Sequence, residues 1–306
     1  MAGLCYKYST VVGLIVQQQQ QQNNTAQQST ATTLLNMSSY AITGASRGIG
    51  WAFLSNLSSN PDNTVIALVR NKAGTEKRIS EELSGRTNIH VVYADLDDYN
   101  SLEAAAAETA KITGGSLDYL IANAAYLTTY DQFDPIGVLG KDPKGLEENL
   151  VANFKTNTVA QIHLFNLFTP LILKGTAKKV IAISSGHADV DMVTSLPLPT
   201  ATSYAISKVA LNMAVAKFSA QYAEQGVLFL SVCPGMVDTG LFENLTEEQL
   251  AGAGAVFAKF KEYSPTFNGA RQPADSVKDI LNVIENATVE KNAGGFLSHK
   301  GNRTWL

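Results

Sequence analysis

Cysteine is nearly absent: Cys5 and Cys233 are the only two in 306 residues. Two thiols so far apart make no disulfide framework and show no metal-ligand spacing. Cys233 closes the apolar run 227–233 and reads as an inert core thiol, so a reducing, cytoplasmic setting fits. Charge is scarce too, at 16% charged residues with a net charge of -4. There is no basic surplus with which to hold nucleic acid or an anionic membrane. No apolar run approaches the length needed to span a bilayer. Residues 10–16 are apolar but short, and the N-terminus has neither the basic start nor the cleavage site of a secretory signal. With Lys7 its only cation, it is also a poor presequence. No internal repeat and no linker divides the remainder.

Residues 1–36 differ in kind from the rest of the chain. An unbroken glutamine run at 17–22 leads into an Asn/Gln/Ser/Thr-rich stretch. Such composition buries too little apolar area to offset its ordering entropy, so a disordered extension is expected. Met37 is a candidate start of the folded domain, or of translation. The remainder, 37–306, is expected to form a single domain, and 45% hydrophobic residues supply a large core.

Short apolar runs alternate with helical patterns through this body. Strands are expected at 40–43, 64–69, 89–94, 117–122, 179–184, 227–232 and 295–298. Helices are expected at 51–59, 101–112, 204–225 (closed by Gly226) and 276–286, with one long helix over 147–173. The strand runs are continuously apolar rather than alternating, as for strands covered on both faces. Repeated strand-helix alternation predicts an α/β, Rossmann-type, doubly wound parallel sheet of about seven strands with helices on both faces.

The first strand runs into Thr43-Gly-Ala-Ser-Arg-Gly-Ile-Gly50 and directly into a helix. Glycines there permit a tight turn and let backbone N–H groups approach a pyrophosphate at the helix N-terminus. NAD-selective sheets tend to carry an acid after the second strand. Here Leu68-Val-Arg-Asn71 holds none. Arg70, together with Arg47 in the glycine turn, suits a 2′-phosphate, although both are equally readable as solvated loop arginines. NADP(H) is therefore the expected cofactor. Asp95, followed by Leu96, is placed to accept from an adenine amino group, or simply to begin a helix.

Tyr204 and Lys208 stand one helical turn apart on one face. A cation beside a phenol favours the phenolate, so Tyr204 is expected to have a lowered pKa and to serve as proton donor or acceptor.

With these features in order, the chain resembles the short-chain dehydrogenase/reductase family over 39–306. Its nearest likeness is to fungal norsolorinic-acid-ketoreductase-like reductases, with sniffer-like carbonyl reductases more distant. Thr43 to Gly50 matches the family's T-G-x-x-x-G-x-G turn, which assigns Gly44, Ser46, Arg47, Gly48, Ile49 and Gly50 to the cofactor. Ala122-Asn-Ala-Ala125 stands where the family has N-N-A-G; it departs at both ends but retains Asn123. The resemblance implies a catalytic set of Asn157, Ser185 (with Ser184 second to it), Tyr204 and Lys208. It also implies that Pro234, Gly235, Val237 and Thr239 border the nicotinamide. The implied reaction is NADPH-dependent reduction of a ketone or aldehyde. Tyr204 donates the proton, Lys208 tunes it and holds the ribose, Ser185 binds the carbonyl, and Asn157 holds a water. Two alternatives stand beside it: an NADP-dependent alcohol dehydrogenase working oxidatively, and a non-catalytic NADPH sensor with the glutamine tract as its contact segment.

Substrate choice is expected to lie in 186–200 and 240–273, with Leu241, Phe242, Phe257, Phe260, Tyr263 and Phe267 as apolar lining or as a helical lid packed on the core. An aromatic or hydrophobic carbonyl suits such a mouth. His187 is placed either to face that pocket or, as a lone loop histidine, to be solvated, and it is left out of the catalytic set; 127–145 reads as a long loop without a legible role. The only partner expected is a second copy, as homodimer or homotetramer through the long helices.

Overall fold

Ala41 and Ile42 are adjacent, both fully buried, and belong to two different hydrophobic clusters, one on each side of a sheet. The same parity holds for Ile66 against Val65 and Ala67, and for Ala182 against Ile181 and Ile183. Successive side chains of a strand point to opposite faces, so a strand covered on both sides must be apolar throughout. This is the physical content of the continuous runs. The computed structural model describes residues 37–240 and 245–306. The extension 1–36, and Leu241 and Phe242, lie outside the described residues.

Seven strands form one parallel sheet: β1 (Ser39–Thr43), β2 (Thr64–Val69), β3 (Ile89–Tyr93), β4 (Tyr119–Ala122), β5 (Lys179–Ile183), β6 (Leu228–Cys233) and β7 (Phe296–Ser298). Their order is β3-β2-β1-β4-β5-β6-β7. The chain builds outward from β1 to β3, then returns to lay β4 against the other edge of β1, pairing Tyr40 with Tyr119. That reversal is the topological switch point of a doubly wound fold. The fourth strand is two residues shorter at its start than the expected 117–122.

On one face α3 (Tyr99–Ile112), α5 (Ala160–Ile172) and α6 (Thr202–Tyr222) cover the sheet; on the other, α1 (Gly48–Leu57) and α8 (Pro273–Asn286) do. Phe165 of α5 meets Phe218 of α6 at 5.3 Å and Phe229 of β6 at 5.8 Å, both edge-on. Truncating this fully buried ring to alanine costs about 3–5 kcal/mol. Among the described residues no helix is long and apolar enough to cross a membrane.

Two elements differ from the sequence expectation. The helix expected over 147–173 begins earlier, as α4 (Pro143–Phe154), with Asp142 capping Gly145, and a π-helical segment Lys155–Val159 separates it from α5. The wider turn carries three polar side chains with partners elsewhere: Thr156 donates to Asp97, Asn157 to Tyr126 and Ser207, and Thr158 to the Ser207 carbonyl. The other element is α2 (Lys72–Glu82), for which no helix was expected. It buries only Thr75, so no apolar stripe announces it. Instead an Asn71 cap and three i,i+4 pairs (Lys72–Glu76, Lys77–Glu81 and Arg78–Glu82) accompany it.

Candidate active site

The C-terminal ends of β1, β2, β3 and β4 open into a long groove at the switch point. It is lined by Gly44, Ser46, Arg47, Gly48, Ile49, Arg70, Asp95, Leu96, Asn123, Tyr204, Lys208, Pro234 and Thr239, all assigned from sequence to the cofactor. Three further assignments sit elsewhere. Gly235 and Val237 line an adjoining cavity, and Gly50 is packed behind the turn. Asn157 lines neither space.

The glycines of the turn have separate reasons. Gly44 and Gly48 adopt positive φ of 67° and 56°, which side chains resist. A Cβ on Gly50 would lie 2.2 Å from the Gly44 carbonyl oxygen and 2.7 Å from the Asn123 amide nitrogen. Asn123 itself donates to the Thr43 carbonyl at 2.9 Å and its N–H reaches the Thr43 hydroxyl, so it braces β4 against the end of β1. The turn thus presents bare backbone at the N-terminus of α1, where an anion is favoured. Arg47 and Arg70 are both exposed at the groove, and among the described residues neither has an ion-pair partner. Arg78, not anticipated from sequence, stacks its guanidinium 3.9 Å over Trp51 and donates to the Ser46 carbonyl, stiffening the turn from α2.

Where the groove meets the adjoining cavity, the Tyr204 phenol hydrogen-bonds the Ser185 hydroxyl. Tyr204 and Ser184 line both spaces, whereas Ser185 faces the cavity. The Ser184 hydroxyl is buried without a partner. Lys208 is buried, donates to the Ile183 carbonyl at 2.8 Å, and holds its ammonium 5.6 Å from the centre of the Tyr204 ring. The pairing predicted from spacing is present, but its electrostatics differ. Burial pushes the Tyr204 phenol up, the nearby Cys233 adds to this, and the Ser185 hydrogen bond opposes it. Burial also lowers the Lys208 amine to about 7. A lysine that is only partly charged at neutral pH exerts a weak field, so desolvation outweighs it and the expected lowering of Tyr204 is not met.

The Asn157 amide is fully engaged within the protein: it accepts from the Tyr126 N–H at 2.7 Å and donates to the Tyr126 carbonyl, Asn153 and Ser207. It ties the loop after β4 to the helix that carries Tyr204 and Lys208. Cys233 is buried, with its thiol pushed up to about 11 by burial, and it accepts N–H groups of Gly186 and Gly235. It also forms part of the cavity wall.

A sequence profile described as short chain dehydrogenase matches residues 39–250. The chain belongs to the short-chain dehydrogenase family. It is 54% identical over 271 residues to the short chain dehydrogenase virK of Hypocrea virens, a match covering 88% of this chain and 100% of that one. Against the short-chain dehydrogenase/reductase iacC of Pestalotiopsis fici the identity is 50% over 272 residues, with the same coverage, 88% and 100%. Among solved structures, the NADPH-bound carbonyl reductase from chicken fatty liver matches with a TM-score of 0.69 and 26% identity, over 87% of this chain and 98% of that one. The carbonyl reductase Sniffer of D. melanogaster, at 23% identity and a TM-score of 0.68 over 87% and 98% of the two chains, shares the fold. The resemblance read from the motifs, to fungal members first and to sniffer more distantly, agrees with these comparisons.

In this short-chain dehydrogenase the cavity beside Tyr204 is closed by segments that sequence reading placed only in part. Phe257 and Phe260 of α7 (Glu247–Tyr263) line it, while Tyr263 and Phe267 pack behind Phe260 in a small cluster with Met192 and Leu196. Lining and packing residues thus come from α7 and the turn that follows it. Trp305 and Leu306, at the C-terminus, complete the wall and were not foreseen. Of the two readings of His187 the structure shows the pocket-facing one: it lies in the cavity wall, edge-on to Phe260 at 6.2 Å, and burial lowers its imidazole to about 4.

The loop 127–145 also has a definite task. Leu127, Gln132 and Phe133 enter the cavity wall. Between them Asp131, fully buried, accepts the N–H groups of Ser203 and Tyr204 at 2.7 and 3.2 Å. One aspartate among the three of a long loop (Asp131, Asp134 and Asp142) carries no sequence signal for such a cap.

Proposed function

We propose that this chain catalyses NADPH-dependent reduction of a ketone or aldehyde on an aromatic or hydrophobic frame. The observation that carries the reading is the position of Tyr204, bonded to Ser185 at the junction of the nucleotide groove and the aromatic-walled cavity. The groove residues fit NADPH: bare glycine backbone at a helix N-terminus for the pyrophosphate, and Arg47 and Arg70 free for a 2′-phosphate. The name of the chicken relative, an NADPH-bound carbonyl reductase, supports the same cofactor and reaction class.

When bound, NADPH supplies the hydride. The chain's residues do the rest. Ser185 and Tyr204 together hold the carbonyl oxygen, and Tyr204, kept protonated by burial, donates its proton as negative charge develops. Lys208 holds the ribose and restores the phenol. Asn157, its amide engaged within the protein rather than on a water, holds the two segments that place this helix, and solvent in the groove refills the proton through Lys208, which lines it. Asp95 and Leu96 border the adenine; Gly235, Val237 and Thr239 shape the nicotinamide end. Pairing with a second copy is supported by the apolar residues Val151, Phe154, Ile206, Val209 and Met213, exposed on α4 and α6.

The test is consumption of NADPH and of NADH against aromatic ketones, diketones, quinones and aldehydes. Turnover with NADPH, and much less with NADH, is expected. Oxidation of alcohols with no reduction of any carbonyl would assign the opposite direction. Cofactor binding without chemistry in either direction would assign a sensor.

A further inference from the structure

Orphaned polar atoms gather in the wall of the substrate cavity. His187 Nδ1, Gln132 Nε2 and Thr200 Oγ1 are each buried without a hydrogen-bond partner among the described residues, and all three residues line that cavity. They come from three separate segments: the turn after β5, the loop after β4 and the approach to α6. No single misfitting turn accounts for them. A buried polar group without a partner is a standing cost, and these three, with the Ser184 hydroxyl at the junction with the groove, are a cost that a ligand can relieve. Apart from Ser184, Ser185, Tyr204 and Thr239, the remaining wall is apolar and aromatic, with Phe133, Phe257, Phe260 and Trp305.

The three groups are chemically specific. The Gln132 amide nitrogen is a donor only, the Thr200 hydroxyl donates or accepts, and a neutral imidazole offers one donor and one acceptor. Burial, which outweighs the nearby Asp131 carboxylate, holds His187 neutral. Among the described residues no lysine or arginine side chain lines the cavity to balance a carboxylate. A neutral oxygen fits this set and a charged one does not.

We propose that this wall receives a second, uncharged oxygen of the substrate, a hydroxyl or carbonyl carried on the same aromatic frame as the reacting ketone. The proposal rests on the carbonyl-reductase reading above. These atoms are themselves buried, so the proposal includes a turn of the His187 ring, the Gln132 amide or the Thr200 hydroxyl that brings them to the cavity surface when the substrate binds. The substrate is thereby fixed at two points: its reacting oxygen at Ser185 and Tyr204, its second oxygen at His187, Gln132 and Thr200.

The experiment compares kcat/KM for 1-tetralone and its ring-hydroxylated analogues, with wild type, His187→Phe and the near-isosteric Thr200→Val. Wild type is expected to prefer at least one hydroxylated ketone by about tenfold or more, since a site built to bond a hydroxyl rejects the analogue lacking it. Each variant is expected to shrink that ratio toward one, mainly through a higher KM for the hydroxylated ketone. NADPH affinity, read by its fluorescence, should stay at the wild-type value. Thr200→Val keeps the volume of the site, so a folding defect in His187→Phe leaves the test standing. Equal kcat/KM for plain and hydroxylated ketones in wild type overturns the proposal alone. So does an equal loss on both in the variants. Failure to reduce any ketone overturns the reading on which it rests, and the proposal with it.

Discussion

The carboxylate of Asp131 accepts the backbone N–H of Tyr204 at 3.2 Å from 73 residues away in sequence. It also takes the Ser203 N–H, at 2.7 Å, while its own backbone carbonyl accepts from Ala201 at 2.7 Å. Ala201 enters α6 with φ of 55°, a left-handed conformation that alanine resists, so the approach to the helix is held by these bonds. The negative charge also faces the positive end of the helix. One loop therefore shapes the cavity and sets the first turn of the helix that carries Tyr204.

Asp131→Ala should lower stability by about 1–2 kcal/mol, the usual cost of a lost cap. It should also lower kcat by about tenfold while NADPH affinity is kept, because the nucleotide groove is built elsewhere. Asp131→Asn, whose amide oxygen still accepts, should recover much of kcat. Thermal melting, cofactor titration and steady-state kinetics separate these outcomes; wild-type kcat in the alanine variant would show that the loop does not position Tyr204.

Gly50→Ala should abolish NADPH binding, because its Cβ would lie 2.2 Å from the Gly44 carbonyl oxygen and push the turn out of shape. Gly85 is the control: a Cβ there meets nothing within 4 Å, although φ of 83° makes its own backbone strained. Cofactor titration should read loss for the first and near-normal affinity for the second.

Arg70→Ala should weaken NADPH by roughly 10–100-fold and leave NADH nearly unchanged, since a charge-assisted hydrogen bond contributes about 1.5–3 kcal/mol. Arg47→Ala should act in the same direction. Equal losses for both cofactors would mean that these arginines do not read the 2′-phosphate.

The sheet was legible because burial on both faces leaves an unbroken apolar run in each strand, and the nucleotide turn because its glycines answer to backbone sterics. The Tyr204–Lys208 spacing was legible for the same local reason. The missed features depend on distant partners. The π-helical segment around Asn157 is accompanied by bonds to Asp97, Tyr126 and Ser207, none of which a local pattern reveals. Helix α2 buries almost nothing. The electrostatics of Tyr204 followed burial rather than spacing, and the cavity's closure by Trp305 brings the chain's end to a site begun at Gly44.

Acid should destabilise the fold through two histidines. His187 and His299 are both lowered from 6.5 to about 4, His187 by burial and His299 by burial and then by Arg271 and Lys300. The unfolded chain takes up protons below about 6.5, whereas the folded chain resists until about 4. Their contribution is therefore full above about pH 6.5 and is lost progressively as pH falls from there through about 4. Melting temperature should drop across that window, and His299→Gln should make the drop shallower. A melting temperature independent of pH between those limits would contradict the buried, neutral state of both rings.

The most direct measurement sets NADPH affinity beside turnover in Tyr204→Phe. The substitution removes one oxygen and keeps the ring, so the groove and the cavity wall remain. With Tyr204 as proton donor, NADPH affinity should stay within a few-fold of wild type. Carbonyl reduction should fall by about 100-fold or more, the usual contribution of a positioned proton donor. Carbonyl reduction at or near the wild-type rate in that variant would contradict the assignment.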